Sequence, residues 1–132
     1  MFFTEKVITH KVEEIIDITE KINSIISKSK IDSGMCLIVV PHTSAGLTVN
    51  ENFDPDVKSD ILYGLKNLHF DDLGFSHSEG NSPAHIKSML TGTTETLIIK
   101  DGKLMLGKWQ GILLCEYDGP RTRTVNIKII GG

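Results

Sequence analysis

The sequence predicts an α+β fold, an antiparallel sheet or sandwich carrying its helices on one side. Three observations predict it. Strand-length apolar runs crowd both ends of the chain, two helix-periodic segments open on Asp54-Pro55 and Ser82-Pro83, and Asp101-Gly102 joins two apolar runs. Strands in runs with helices set between them, without strict alternation, give α+β instead of a doubly wound parallel sheet. With 132 residues, 39% of them apolar, the chain can bury a core as one domain, residues 1–132, without disulfides or structural zinc.

Residues 3–10 and 12–18 read as two short strands joined by a turn at 9–11. Asp17 or Thr19 can cap the helix that follows, whose apolar stripe is Ile22, Ile25 and Ile26 and which ends before Asp32-Ser33-Gly34. Residues 35–40 are continuously apolar, as expected of a strand covered on both faces, which points to neighbouring copies. A second strand runs over 47–50. Asp54 then caps a helix with proline at its first position and Asp56 near the positive end of its dipole. Val57, Ile61, Leu62 and Leu65 form its core face, while Asp56 and Asp60, four apart, share another. The helix from Ser82 turns Ile86, Met89 and Leu90 inward and stops at Gly92. Residues 94–100 and 103–106 make a hairpin, because Asp-Gly accepts the two positive φ angles of a type I′ turn. Strands over 109–117 and 122–130, joined at Asp118-Gly119-Pro120, complete the order ββ-α-ββ-α-α-βββ, with Val125, Ile127 and Ile129 alternating inward.

A net charge of −3 supplies no field for nucleic acid or an anionic membrane, no run reaches transmembrane length, and the first residues lack the pattern of a signal peptide. The expectation is a cytoplasmic protein with no nucleic-acid or membrane partner. Cys36 and Cys115 lie inside apolar runs, as reduced, buried thiols do.

His42, His77 and His85 fall at element edges beside Gly, Ser and Asn, where side chains can converge on a shared metal such as zinc or on a catalytic site. Each also has a local explanation as a hydrogen-bonding surface residue. Their spacing is not that of a helical zinc motif. His10 and His69 lack such company and are expected at the surface. At Asn50-Glu51-Asn52-Phe53-Asp54-Pro55-Asp56, hard oxygen donors suit Mg²⁺ held mainly through a substrate's phosphates. Asp54 and Asp56 are explained by capping, so Asn50, Glu51 and Asn52, without a capping duty, are the functional candidates. Gly80 and Asn81 precede a helix N-terminus, a generic anion site, though such a turn is also often only a turn. Arg121 and Arg123 offer guanidiniums that can fork onto a diphosphate, or else guard an exposed strand edge. Trp109, Gln110 and Glu116 lie at the two ends of one strand, and Trp109 is equally a core or interface anchor.

Taken together, His42-Thr43-Ser44-Ala45, Asn50-Glu51-Asn52, Asp54-Pro55-Asp56, Glu79-Gly80-Asn81, Ala84-His85-Ile86-Lys87, Leu106-Gly107-Lys108-Trp109-Gln110-Gly111-Ile112 and Glu116-Tyr117-Asp118-Gly119-Pro120-Arg121 closely resemble the YjbQ family, also called the secondary thiamine-phosphate synthase family. The resemblance covers essentially the whole chain in order. Lys108 departs from it, standing where a Gly-Thr-Trp-Gln pattern has threonine. The resemblance implies a two-sheet β-sandwich of about seven strands with helices inserted, trimerising about a threefold axis. It also implies a synthase that joins hydroxymethylpyrimidine diphosphate to a thiazole phosphate and releases diphosphate. In that reaction Mg²⁺ held by Glu51 and Asp60, with Arg121 and the amides near Asn81, would stabilise the leaving charge, and His77 or His85 would serve as general acid or metal ligand. Asn50, Asn52, Gly80, Asn81, Trp109, Gln110, Glu116 and Arg121 would contact substrate. Two other classes fit the residues. One is a hydrolase with zinc at His42, His77 and His85 and Glu51 or Glu116 as base; the other is a non-catalytic trimer that binds a phosphorylated small molecule.

Overall fold

A computed structural model of the chain describes residues 1–132. In chain order the elements are β1 (Phe2–Ile8), β2 (Glu14–Asp17), α1 (Thr19–Ser29), β3 (Gly34–Val39), β4 (Ala45–Glu51), α2 (Pro55–Lys66), a 3₁₀ turn (Phe70–Asp72), α3 (Ser82–Thr91), β5 (Thr94–Lys100), β6 (Lys103–Leu104), β7 (Gln110–Glu116) and β8 (Thr122–Gly131). They build two antiparallel sheets, one ordered β1-β8-β3-β5-β6 and the other β2-β7-β4. The α+β class and the sandwich hold, with eight strands where about seven are expected.

The first two strands do not form a hairpin. β1 pairs with β8 in the larger sheet and β2 with β7 in the smaller, so residues 9–13 cross between sheets instead of turning tightly. The turn residues at 9–11 carry no hairpin chemistry, and Thr9 is instead buried under the cleft described below. The Asp101-Gly102 turn does form, with φ of 53° and 72°, the two positive angles the pair was expected to supply.

The core fills the space between the sheets. Cys36, Ile38, Ile99, Val125, Ile127 and Ile129 face Ala45, Leu47, Ile112 and Leu114, and the predicted stripe of α1 closes the layer. A smaller cluster, Ile15, Ala84, Leu113, Cys115 and Tyr117, lies on the other face of the small sheet under α2 and α3. Within one chain β7 is the strand buried on both faces, while β3 is buried on one. In β3, Cys36 and Ile38 are buried while Met35 is 48% exposed on a face this chain leaves uncovered.

Both later helices differ from expectation in what they bury. Val57, Ile61, Leu62 and Leu65 of α2 face the small sheet but are only half-buried. On α3 the inward residues are Ala84, Lys87 and Ser88, whereas Met89 and Leu90 are exposed. The reason is distance: α3 lies so close to β4 that only small or polar-tipped side chains fit. The Ser88 hydroxyl donates to the Ala45 carbonyl at 2.6 Å, and a Cβ on Gly46 would stand 2.8 Å from the Thr91 Cβ. The buried Lys87 ammonium ties the helix to Glu13 at 3.1 Å and to Asp71 at 3.7 Å. For α1, Ile18 occupies the N-cap position with no side-chain cap, and Asp17 instead accepts the Thr19 N–H at 2.9 Å. No helix is long and apolar enough to cross a membrane.

Candidate functional site

The ladder between β4 and β7 decides where the candidate residues lie. Ala45 pairs with Glu116 at one end and Glu51 with Gln110 at the other. The seven residues of β4 span from one end to the other, about 20 Å at a strand's rise. His42, Gly80, Asn81, His85, Glu116 and Arg121 gather at the first end, while Asn50, Glu51, Asn52, Trp109 and Gln110 gather at the second.

At the first end a polar cleft of about 320 Å³ opens; apart from Pro41 its walls are polar, among them His42, Ser44, Glu79, His85, Arg121 and Arg123. Its floor is a buried ion pair between the two sheets. Arg123 on β8 is 4% exposed, and Glu116 at the end of β7 is fully buried. The Arg123 Nε donates to both Glu116 oxygens at 2.9 and 3.1 Å, and its Nη2 reaches Glu116 Oε2 and also the Ser44 hydroxyl at 2.9 Å. Thr9 donates to Glu116 at 2.8 Å, and the Asp118 N–H donates at 3.2 Å. Burial pushes the Glu116 carboxyl up, but the bonds from Arg123, Thr9 and Asp118 outweigh it and hold it below the ordinary carboxylate range. Every acceptor site of Glu116 is thus spent inside the protein. The residue expected to touch substrate instead aims Arg123, whose Nη1 makes no hydrogen bond in the chain and is not sealed from solvent.

The histidines around this guanidinium have assigned roles. The Thr124 N–H donates to His42 Nε2 at 2.8 Å, so the neutral ring carries its proton on Nδ1. Burial, with Arg123 beside it, keeps the His42 pKa below the usual imidazole range. His85 sits in the first turns of α3, and its Nδ1 lies 2.8 Å from the Thr43 carbonyl. A carbonyl only accepts, so Nδ1 donates and Nε2 is the ring nitrogen left without a partner in the chain. His77 stands edge-on to His85 with ring centroids 5.5 Å apart. Asp118 bonds Asn81 Nδ2 at 2.9 Å and Arg121 Nη2 at 3.0 Å, which fixes the Gly80 turn, with φ of 73°, against the cleft. Burial raises the Asp118 pKa, but these two bonds prevail and lower it.

At the second end the side chains serve the backbone and one another. Glu51 accepts the Phe53 N–H at 2.6 Å, and Asn50 accepts the Glu51 N–H at 2.7 Å. Asn52 donates to Asp17 at 2.9 Å and accepts from Lys58 at 2.7 Å. Glu51 and the amides do not cap α2, where Asp54 caps as predicted by accepting the Asp56 N–H at 2.9 Å, but they are engaged in bracing the turn that leads into it. Gln110 accepts the Gly107 N–H at 2.7 Å. Trp109 is 47% exposed and meets the 74% exposed Phe53 edge-to-face at 4.8 Å, with the Lys108 ammonium 4.8 Å from its ring centre. Asp60 is an exposed residue of α2.

Within one chain, no three His, Cys, Asp or Glu side chains are grouped as metal ligands. His42, His77 and His85 come to the same end without forming a ligand set, because His42 Nε2 already accepts a backbone proton. His10 and His69 are exposed, as expected, with His69 paired to Asp72 at 2.8 Å.

Comparison with known proteins places this arrangement. Residues 4–132 match the family model described as UPF0047 protein YjbQ-like. The chain belongs to the YjbQ/UPF0047 family. A UPF0047 protein of Methanocaldococcus jannaschii is 54% identical over 131 residues, covering 99% of this chain and 95% of its own. The YugU protein of Bacillus subtilis is 46% identical over 132 residues, covering 99% and 100%. Among solved structures, a YjbQ/UPF0047 family protein of Clostridium acetobutylicum superposes with a TM-score of 0.94 at 44% identity, covering 97% of this chain and 99% of that one. A protein of Sulfolobus solfataricus superposes at 0.95 and 33% identity, covering 100% and 97%.

Four members of the cleft end were not among the residues singled out in sequence: Thr9, Ser44, Lys87 and, as a buried group, Arg123. One signal was available for Arg123. It has the same parity as Val125, Ile127 and Ile129, so β8 turns it inward with them. Lys87 likewise shares a helical stripe with Ala84, Ser88 and Thr91, a stripe hidden by its lack of large apolar residues.

Proposed function

We propose that this YjbQ/UPF0047 chain is a thiamine-phosphate synthase-type transferase whose cleft at the His85 end binds a phosphorylated small molecule and stabilises departing diphosphate. The observation that carries the reading is Arg123, buried, locked by Glu116 and Ser44, and holding Nη1 free at a cleft where His85 presents Nε2. A guanidinium fixed before the ligand arrives gives its stabilisation without reorganisation. In the reaction the thiazole nitrogen attacks the methylene carbon of the pyrimidine diphosphate, and the carbon–oxygen bond to diphosphate breaks. The leaving group takes the electron pair. Arg123 and Arg121 meet the charge that develops on it, and His85, in its protonated form with Nδ1–H held by the Thr43 carbonyl, gives its Nε2 proton to the leaving oxygen. Mg²⁺ enters on this reading with the diphosphate, as part of the substrate.

The working unit on this reading is a cytoplasmic homotrimer. Two features support association with further copies: Met35, Ile98 and Ile130 form an exposed apolar patch on the outer face of the large sheet, and the Phe53–Trp109 pair is open at the far end of the small one. In a closed ring, the Glu51, Asn52, Trp109 and Gln110 end of one copy can complete the cleft of the next.

The test is an assay of thiamine-phosphate formation from the two substrates with Mg²⁺, alongside calorimetry with diphosphate. His85→Gln should lower turnover by about 10²–10⁴-fold with diphosphate binding retained, and Arg123→Gln should weaken diphosphate binding. Diphosphate binding without any product from the wild-type chain would reduce the protein to a binding module and overturn the synthase reading.

A further inference from the structure

We propose that His42 holds the bound anion as a neutral hydrogen-bond donor, giving its Nδ1–H to a phosphate oxygen beside Arg123. This rests on the phosphate reading of the cleft and adds to the charged groups there a contact of a different kind.

The orientation of the ring follows from the larger sheet. β3 runs beside β8 as far as Val39, opposite Asn126, and then leaves the ladder. The Thr124 N–H, two residues away on β8, would be left without an acceptor, and His42 Nε2 supplies one at 2.8 Å. A neutral imidazole that accepts at Nε2 carries its proton at Nδ1. Burial and the cations Arg123, on β8, and Lys6, on β1, favour the neutral ring; they outweigh the Thr124 bond and the charge of Glu116, on β7.

The other nitrogen is the one at issue. His42 Nδ1 makes no hydrogen bond in the chain and is not sealed from solvent. The half-buried ring shares its wall of the cleft with Ser44, His85, Arg121 and Arg123. A donor whose ring is already fixed by the backbone loses little freedom on meeting a ligand. Being uncharged, it also keeps its proton as pH rises through the range where an ordinary imidazolium gives its proton up.

The ladder bond by itself explains a histidine at this position, so two variants separate the nitrogens. His42→Gln keeps an oxygen where Nε2 accepts but has no donor in the place of Nδ1. His42→Asn puts an amide N–H in the place of Nδ1 and gives up the ladder bond. In calorimetry with inorganic diphosphate, His42→Gln should bind at least about tenfold more weakly than wild type, the worth of one hydrogen bond to a charged group. His42→Asn should recover most of that loss, while urea unfolding ranks it as the less stable of the two. Imidazole nitrogen NMR of the wild-type chain, with His42 assigned by its missing signal in His42→Gln, should show the proton on Nδ1 at neutral pH. That proton should move downfield and exchange more slowly when diphosphate is added. Wild-type affinity in His42→Gln would overturn the inference, as would a ring protonated at Nε2 or an Nδ1 proton unmoved by saturating diphosphate. Failure of diphosphate to bind the wild-type chain would instead strike the phosphate reading, and this contact with it.

Discussion

The two ends of the three-stranded sheet solve opposite problems. At the Glu116 end, charges are taken out of water and paired: Glu116 is fully buried, Arg123 is 4% exposed, and hydroxyls and backbone N–H groups satisfy what remains. At the Glu51 end, carboxylates and amides stay at the surface and brace a turn, with two aromatic rings left open. Buried charges hold one geometry because every alternative leaves one of them unpaired, so the first end presents a fixed guanidinium. The second end can lose any single bond to water at little cost. Rigid preorganisation therefore belongs to the cleft, and adaptable surface to the aromatic end.

The largest expected effect tests that contrast directly. Glu116→Ala strands the Arg123 guanidinium in the interior and should cost about 3–5 kcal/mol of stability in urea unfolding. Glu51→Ala at the other end should cost no more than about 1 kcal/mol. Comparable losses would erase the distinction.

Next comes pH. Glu116 and His42 both have folded pKa values below their ordinary values of 4.5 and 6.5. A depressed value means that the unfolded chain binds the proton more readily, so the stabilisation is complete above the ordinary value and is lost as pH falls toward the folded one. Stability should therefore decline below pH 6.5 and again below 4.5. Asp17 at the far end, also lowered, has an ordinary value of 3.8 and adds its loss only below that. In acid unfolding monitored by circular dichroism, His42→Gln should flatten the upper part of this decline; an unchanged profile would detach the imidazole from it.

The smallest effect lies at the second end, where Asp54→Ala should cost about 1 kcal/mol in the same urea titration, the worth of one N-cap. A much larger loss would mean that this end carries structural weight its exposure does not suggest.

Much of this was legible beforehand. Turn chemistry announced the Asp101-Gly102 hairpin, Asp54-Pro55 announced α2, and the period-two pattern of Val125, Ile127 and Ile129 announced the inward face of β8. The motifs also named most of the cleft. What differed depended on what a segment meets. The runs at 35–40 and 112–115 are equally apolar, yet within one chain only β7 is covered on both faces, because α2 and α3 pack on the small sheet. Met89 and Leu90 look like core residues, yet the close approach of α3 to Gly46 favours Ala84 and Ser88 at the contact.

By itself, then, the sequence determined the elements, the α+β class and the family, since periodicity, caps and turns are local properties that a chain carries wherever it folds. Only the tertiary structure decided that the candidate residues divide between two ends of one sheet. It alone showed that Glu116 serves Arg123 instead of a ligand, and that Asn81 lines two separate cavities. Those facts depend on strand register and on which partner each buried charge finds, and both are set by contacts between residues far apart in the chain.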